Sequence, residues 1–318
     1  MRVFVAGAGG AIGRRLLPQL VARGHEVAAT TRNADKTADL RAFGAEPLVM
    51  DGLDAGSVGE AVARAEPDVI VHQMTALAGI QDLKHFDDTF AVTNQLRTTG
   101  TDHLLAAADA LGVPRFIAAS YTGWPNAREG GPVKTEDDPF DEHLPAAQEQ
   151  SLAAIRYLER AAVEGSPHGI ALRYGSFYGP GASDELVEVV RKRKIPLVGE
   201  AGGIWSWIHI DDAASAAVAA VERGAAAVYN IVDDEPAPVS EWLPVLAESL
   251  GAKPPRRVPA WLARLAVGEV GVSMMTQIRG SSNAKAKREL GWQPHWSSWR
   301  EGFRHALTEP AGGVTAAA

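Results

Sequence analysis

The chain contains no cysteine, which excludes disulfides, thiolate metal sites and thiol catalysis. It also lacks an unbroken apolar run of the roughly 20 residues that a membrane span requires. The alanine-rich stretch Ala213 to Val228 is interrupted by Glu222 and Arg223. Positive charge is scarce. A formal net charge of −8 over 318 residues argues against nucleic acid as a main partner, because backbone phosphates are bound by clustered cations. The one dense basic run, Arg191 to Lys194, reads as a solvated helix end. No serine sits in a GxSxG turn, the nine histidines form no HExxH pair, and no DxDxDG loop occurs, so no metal site is expected. The first strand begins at residue 2 and leaves no place for a signal peptide. These absences predict a soluble, cytoplasmic protein that acts on a small molecule, without membrane or nucleic-acid partners; a homodimer is compatible with them.

The apolar content, 46%, is enough for a large core, and its arrangement is informative from the start. In Arg2 to Leu17, RVFVAGAGGAIGRRLL, the run Val3 to Val5 fits a buried strand, and Ile12, Leu16, Leu17 and Leu20 then fall at helical spacing. Between them stand Gly7, Gly10 and Gly13. In a strand, turn and helix of this kind the first glycine makes the turn, the second lets backbone approach a pyrophosphate, and the third lets helix pack on strand. The pyrophosphate then rests on free N–H groups at the positive end of the helix. This predicts a dinucleotide site built from Gly7, Gly9, Gly10, Ala11, Ile12 and Gly13.

Strand and helix patterns alternate onward. Strands are predicted at 26–31, 47–50, 68–72, 115–119 and 170–174, with helices at 34–43, 58–65, 93–111 and 151–163. Short connections between such units require parallel strands and right-handed crossovers. The expected fold is α/β, a doubly wound and mostly parallel Rossmann sheet with a smaller C-terminal substrate-binding lobe. Residues 1–175 form the dinucleotide-binding part, with 204–231 returning to the sheet. Residues 176–203 and 232–308 form the lobe, and 309–318 a flexible tail. Ligands in such sheets bind at the carboxyl ends of the strands, where Gly7, Arg32, Asp51, His72 and Ser120 fall. The second strand ends Thr30, Thr31, Arg32. NAD sites usually carry an acid there, whereas an arginine accommodates a 2′-phosphate. With Arg14 nearby, NADP is expected ahead of NAD. The long polar segment after Tyr121 is either a solvated excursion or functional.

Together these features resemble the extended short-chain dehydrogenase/reductase superfamily, the group of sugar-nucleotide epimerases, dehydratases and many reductases. The resemblance rests on VAGAGGAIG at the start, Asp51 after the third strand, DVIVHQ at the fourth, Asn94 within NQLRTTGT, VPRFIAAS at the fifth, LRYGSFYGPG, WIHIDDAA and the ending AKRELGWQPHWSSWREG. It implies cofactor contacts from Asp51 and Gly52, His72 and Gln73, Asn94, Ala119 and Tyr174. A satisfied buried histidine is the competing reading of His72, and His209 with Asp211 resembles a structural pair at a helix start.

The superfamily's chemistry uses a tyrosine and a lysine four residues later, so that the cation shares a helical face with the phenol and lowers its pKa. That pair is missing. Four residues beyond Tyr121, Tyr157, Tyr174, Tyr178 and Tyr229 stand Pro125, Ala161, Tyr178, Ala182 and Asp233. Aligned on Glu159, the two positions hold Ser151 and Ile155. The chain thus resembles an atypical member. Ser120 and Tyr121, after the fifth strand, are the candidate catalytic hydroxyls; a phenol with a pKa near 10 gives up a proton more readily than it takes one at neutral pH, which favours reduction. Trp124, Tyr178 and Trp205 are candidates for a substrate wall. The expected function is reduction of a carbonyl or enone. The alternatives are a sugar-nucleotide epimerase or dehydratase, and a non-catalytic NADP sensor.

Overall fold

The computed structural model describes residues 1–77 and 82–307; the expected tail 309–318 lies outside them. Seven parallel strands form the central sheet: β1 (Arg2–Ala6), β2 (Glu26–Thr31), β3 (Glu46–Val49), β4 (Val69–His72), β5 (Arg115–Tyr121), β6 (His168–Tyr174) and β7 (Ala227–Ile231). Their order is β7-β6-β5-β4-β1-β2-β3. The order reverses direction between β1 and β4, which opens a crevice at the carboxyl edge.

Helices α1 (Ala11–Ala22), α2 (Thr37–Ala42), α3 (Ala55–Ala65), α4 (Phe86–Arg97), α5 (Thr99–Leu111) and α6 (Glu149–Glu164) connect the first six strands. Two apolar layers cover the sheet. One contains Val3, Val5, Leu16, Leu17 and Ile117, the other Phe4, Ile70, Leu104, Phe116 and Leu158. The alternation of Val3, Phe4 and Val5 between the layers follows from the two-residue period of a strand. Helix α8 (Ile210–Glu222) packs beside α1 through buried alanines, among them Ala213, Ala216, Ala217 and Ala220. Their small side chains let the two helices approach. None of the described helices is long and apolar enough to cross a membrane.

Two expectations are corrected. The predicted helix 93–111 is two helices, α4 and α5, parted at Thr98 (φ −101°, ψ −85°). Residues 204–209 do not rejoin the sheet: Ile204–Trp205 pairs antiparallel with Ala237–Pro238, and Trp207–His209 pairs with Ser176–Tyr178. Only β7 returns.

The remaining helices, α7 (Asp184–Arg191), α9 (Val239–Ser249), α10 (Ala260–Thr276), α11 (Ala284–Leu290) and α12 (Trp299–His305), belong to the C-terminal half. There Trp207, Trp242, Trp299 and Phe303 form a separate core. The polar segment after Tyr121 is no solvated excursion. Asn126 Nδ2 donates to the Arg279 carbonyl at 3.1 Å, Val133–Lys134 pairs with Gly280–Ser281, and Arg128 meets the buried Asp141 at 2.7 Å.

Candidate active site

The glycine turn is shaped by contact. Gly7 has φ +84°, and a Cβ there would meet the Gln73 backbone at 2.7 Å; one at Gly13 would meet the Ala8 carbonyl oxygen at 2.2 Å. Both positions exclude other residues. The Thr30 hydroxyl accepts the Gly7 N–H at 3.2 Å, tying the turn to β2, a contact that sequence reasoning missed. Helix α1 opens at Gly10 with no side-chain cap and no acid in its first turn. Its leading N–H groups therefore have no acceptor within the helix. The N-termini of α3, α8 and α12 are capped, by Asp54, His209 and Ser298, whereas α2, α4, α5, α7, α9, α10 and α11 lack a side-chain cap as α1 does; the glycines set α1 apart. An uncapped, glycine-lined start at the crevice suits an anionic pyrophosphate.

Around this turn the expected cofactor residues fall along the carboxyl edge. Thr31 closes β2, and Arg32 beyond it is exposed, with no hydrogen bond or ion pair from its guanidinium among the described residues. Arg14 Nε donates to the Gly9 carbonyl at 3.2 Å. Asp51 is exposed, and its Oδ1 accepts the Leu53 N–H. Gly52 is buried against Met74, leaving no room for a Cβ. Ala119 is half-buried on β5.

His72 has no ring nitrogen to spare. Nε2 donates to the Leu96 carbonyl at 3.1 Å and Nδ1 accepts the Met74 N–H at 3.2 Å. Burial lowers its pKa to about 4, so the ring is neutral at pH 7, with both nitrogens engaged inside the fold. Gln73 Nε2 donates to the Tyr174 hydroxyl at 3.2 Å. Tyr174 is buried against Phe177, and burial pushes its phenol up, beyond the usual range. Asn94 Nδ2 donates to Ser151 Oγ at 3.0 Å, which places it between α4 and α6.

The two candidate hydroxyls on β5 part company. Ser120 Oγ donates to Glu159 Oε1 at 2.6 Å, and Arg173 Nε and Nη2 donate to the two Glu159 oxygens at 2.7 Å each. All three groups are buried. The Ser120 hydroxyl thus belongs to a clamp joining β5, α6 and β6. Tyr121 is freer. Its half-buried phenol has one hydroxyl partner, Ser176 Oγ at 3.4 Å. Burial pushes its pKa up, opposed by the Ser176 hydrogen bond and by the charge of Arg97.

At the start of α6, the place of the superfamily tyrosine is filled by a closed polar knot. Asp87 accepts the N–H groups of Gln150 and Ser151 at 2.9 Å and the Ser151 hydroxyl at 2.5 Å. Ile155, in the lysine's place, is fully buried in an apolar cluster with Phe86, Trp124 and Leu152, edged by half-buried Phe90, Tyr121, Trp205 and Met274. Trp124 stacks on Tyr121 (centroids 6.4 Å apart, 27°) and meets Phe86 edge-on at 5.3 Å. Trp205 donates from Nε1 to the Met274 carbonyl at 2.9 Å. Tyr121, Trp124 and Trp205 therefore share one aromatic wall. Tyr178 does not join it: its ring is fully buried against Trp207, His209 and Phe303, in the C-terminal core. His209 Nδ1 accepts the Asp211 N–H at 3.2 Å, so in this pair at the helix start the histidine is the cap.

One site residue escaped the sequence reading. Arg97 closes α4 with only 6% of its surface exposed, and its Nε and Nη1 are buried without a partner. The signal was present in NQLRTTGT, where an arginine follows the buried Leu96 and precedes buried Gly100 and Thr101.

Known proteins bear on this geometry. A "3-diazoavenalumate denitrifying reductase" from a Streptomyces species is 42% identical over 95% of this chain and 99% of its own. A "2-alkyl-3-oxoalkanoate reductase" from Stenotrophomonas maltophilia is 29% identical over 94% and 91%. Among solved structures, the UDP-glucose 4-epimerase of Thermus thermophilus in complex with NAD superposes with a TM-score of 0.74 at 24% identity, covering 99% of this chain and all of that one. Residues 3–232 match one family throughout, and on that match the chain belongs to the NAD dependent epimerase/dehydratase family.

Proposed function

We propose that the protein is an NADP-dependent reductase of a small conjugated or aromatic molecule, with Tyr121 as proton donor to a carbonyl or enone. One observation carries the reading: beside an aromatic wall at the end of β5 stands a phenol bound only by another hydroxyl at 3.4 Å, while Ser120 and Ser151 are spent on carboxylates. The nicotinamide supplies the hydride. The N–H groups at the start of α1 hold the pyrophosphate, Arg32 takes the 2′-phosphate, and Asp51 lies on the adenosine side. Trp124, Phe90 and Trp205 exclude water and seat a flat acceptor. The phenol, pushed up by burial, retains its proton at neutral pH and gives it to the oxygen that becomes negative as hydride arrives. The named reductases among the relatives support this direction.

A second acceptor is favoured by Ser151 and Ile155, which put neither acid nor base at those two positions of α6. A diazo group is named in the 42% identical relative, and an aryl diazonium is an acceptor of this kind that needs no protein acid at the hydride step. Hydride on the terminal nitrogen of an aryl diazonium gives an aryldiazene; loss of N2 then leaves a C–H bond, with the N–H proton passing to carbon.

The test is NADPH oxidation against ketones, enones and aryl diazonium compounds. Tyr121→Phe is expected to slow carbonyl reduction about 100-fold and to leave diazonium reduction and N2 release unchanged. Undiminished carbonyl reduction in that variant overturns the role of Tyr121. Interconversion of a UDP-sugar without net cofactor change would establish an epimerase instead, and tight NADPH binding without turnover of any compound a sensor. Arg32→Ala is expected to weaken NADPH about tenfold and leave NADH unaffected; equal losses reject the NADP preference.

A further inference from the structure

The basic run Arg191 to Lys194, which reads in the sequence as a solvated helix end, does not stand alone. Arg193 Nε donates to the Pro254 carbonyl at 2.6 Å, and Leu197–Val198 pairs in parallel with Arg257–Val258. The Leu197 N–H donates to the Arg256 carbonyl at 2.8 Å. Two stretches distant in sequence, 191–194 and 253–257, are thereby laid side by side. Neither contains an acid, and together they hold 7 of the chain's 31 lysines and arginines. Glu188 pairs with Arg191 and Lys192. Arg193, Lys194, Lys253, Arg256 and Arg257 have no ion pair among the described residues. In a chain of net charge −8 this is a concentrated positive strip.

Helix α10 leaves this strip directly. Its first turn holds no acid, and in 260–267 only Ala263 is buried, resting with Val198 in a small core. On the open side stand Trp261, 64% exposed, and Leu265, 68% exposed, with Leu262 and Val267 also exposed. Four of the ten large apolar side chains exposed among the described residues thus fall within seven positions. Arg264, in their midst, is paired with Glu269. Gly268 then breaks the helix with φ +71° and ψ −175°. Beyond it Val270 is buried and Met274 half-buried in the cluster of the aromatic wall, so the exposed turns lie outside that wall.

A tryptophan and leucines left in water beside unpaired cations call for an occupant that is apolar and anionic at once. A nucleic acid uses cations and can stack on a tryptophan, but it leaves Leu262, Leu265 and Val267 in water. A second copy brought face to face would set five unpaired cations against five. A bilayer with anionic headgroups satisfies both features: aliphatic side chains enter the boundary between headgroups and acyl chains, tryptophan sits at headgroup level, and the cations meet the negative surface. We propose that residues 253–267 together with 191–194 form a docking surface for an anionic lipid bilayer, on which the protein lies without spanning it. The sequence expectation of no membrane partner rests on segments long enough to cross a bilayer, and a surface contact needs none.

The test is co-sedimentation of the full chain with vesicles of phosphatidylcholine alone and of phosphatidylcholine mixed with phosphatidylglycerol. Binding to the anionic vesicles is expected to be about 100-fold tighter than to the neutral ones and to weaken as salt rises. Leu265→Ser and Trp261→Ser should each weaken it about tenfold, and Arg256→Glu combined with Arg257→Glu at least as much. These side chains are exposed, so an unchanged melting temperature and NADPH affinity are expected to accompany the loss. Equal binding to both vesicles, binding to neither, or full binding by the Leu265 and Trp261 variants overturns the proposal. A single-stranded oligonucleotide bound more tightly than the anionic vesicles assigns the strip to nucleic acid, and a dimer in lipid-free solution that Trp261→Ser dissolves assigns the face to a second copy; either result also overturns it.

Discussion

Helices α1 and α6 each begin with N–H groups that the helix itself cannot satisfy, and the protein treats them oppositely. At α1 no side chain caps the leading N–H groups, and the turn before them is glycine. At α6 the chain brings its own carboxylate, Asp87, to the N–H groups of Gln150 and Ser151. The first arrangement is open to an external anion. The second is finished without one. The difference teaches that one helix start in this fold is left without a side-chain acceptor while the other has its polar demand met from within.

The comparison can be broken most severely by making the first helix like the second. Gly10 has φ −75°, and a Cβ there would come no nearer than 3.4 Å to its neighbours, so Gly10→Asp fits sterically. It is expected to cap α1, raise the melting temperature through about 1 kcal/mol, and weaken NADPH binding about 100-fold or more, measured by tryptophan fluorescence. Retained binding would show that the pyrophosphate does not rest there.

The reverse change opens the second helix. Asp87→Ala strips the acceptor from Gln150, Ser151 and the Ser151 hydroxyl, and is expected to cost about 2 kcal/mol in denaturant unfolding. NADPH affinity should change by less than about threefold, which follows from the separation of the two sites. A large loss of affinity would contradict that separation.

The smallest effect is set by pH on the cradle side. Burial holds His72 at about 4, against 6.5 in the unfolded chain. The unfolded state therefore binds more protons between those values. His72 contributes its full stability above about pH 6.5 and loses it as pH falls toward 4. By about pH 5.5 the loss is about 1 kcal/mol, and His72→Gln should flatten this part of a melting-temperature profile. An equally steep profile in the variant would assign the dependence elsewhere, with His209, also lowered to about 4 by burial, next in line.

Much of the first half was legible because local pattern and tertiary role agree there. Val3, Phe4 and Val5 alternate between two cores, and Gly7 and Gly13 stand where contact leaves no room for a side chain. Strand boundaries were met within two residues at β1 to β4. Legibility failed where polar groups satisfy one another over long sequence distances. The segment after Tyr121 looked solvated because its polar residues do not reveal their partners: Thr122 and Asn126 meet Ser281, 159 and 155 residues away. Tyr178 and Tyr121 were both tyrosines beside a strand end, and only packing shows that one lies in a core and the other beside the site. Arg97 was passed over because an arginine on a helix is ordinarily solvated, and its apolar and small neighbours Leu96 and Gly100 are a slight hint of burial beside that expectation. Residues 204–209 have strand composition, yet the sheet edge was already occupied by β7.

The clamp of Glu159 with Arg173 and Ser120 has a wider consequence. Together with Asp87 it anchors α6 at its first turn and its middle, and Ser151 and Ile155 add a hydroxyl bond and an apolar contact of their own. Position is thereby fixed twice along a single helix, each time by a carboxylate that meets its partners inside the fold. A helix held in this way keeps its place on the sheet when a side chain on its exposed face is exchanged.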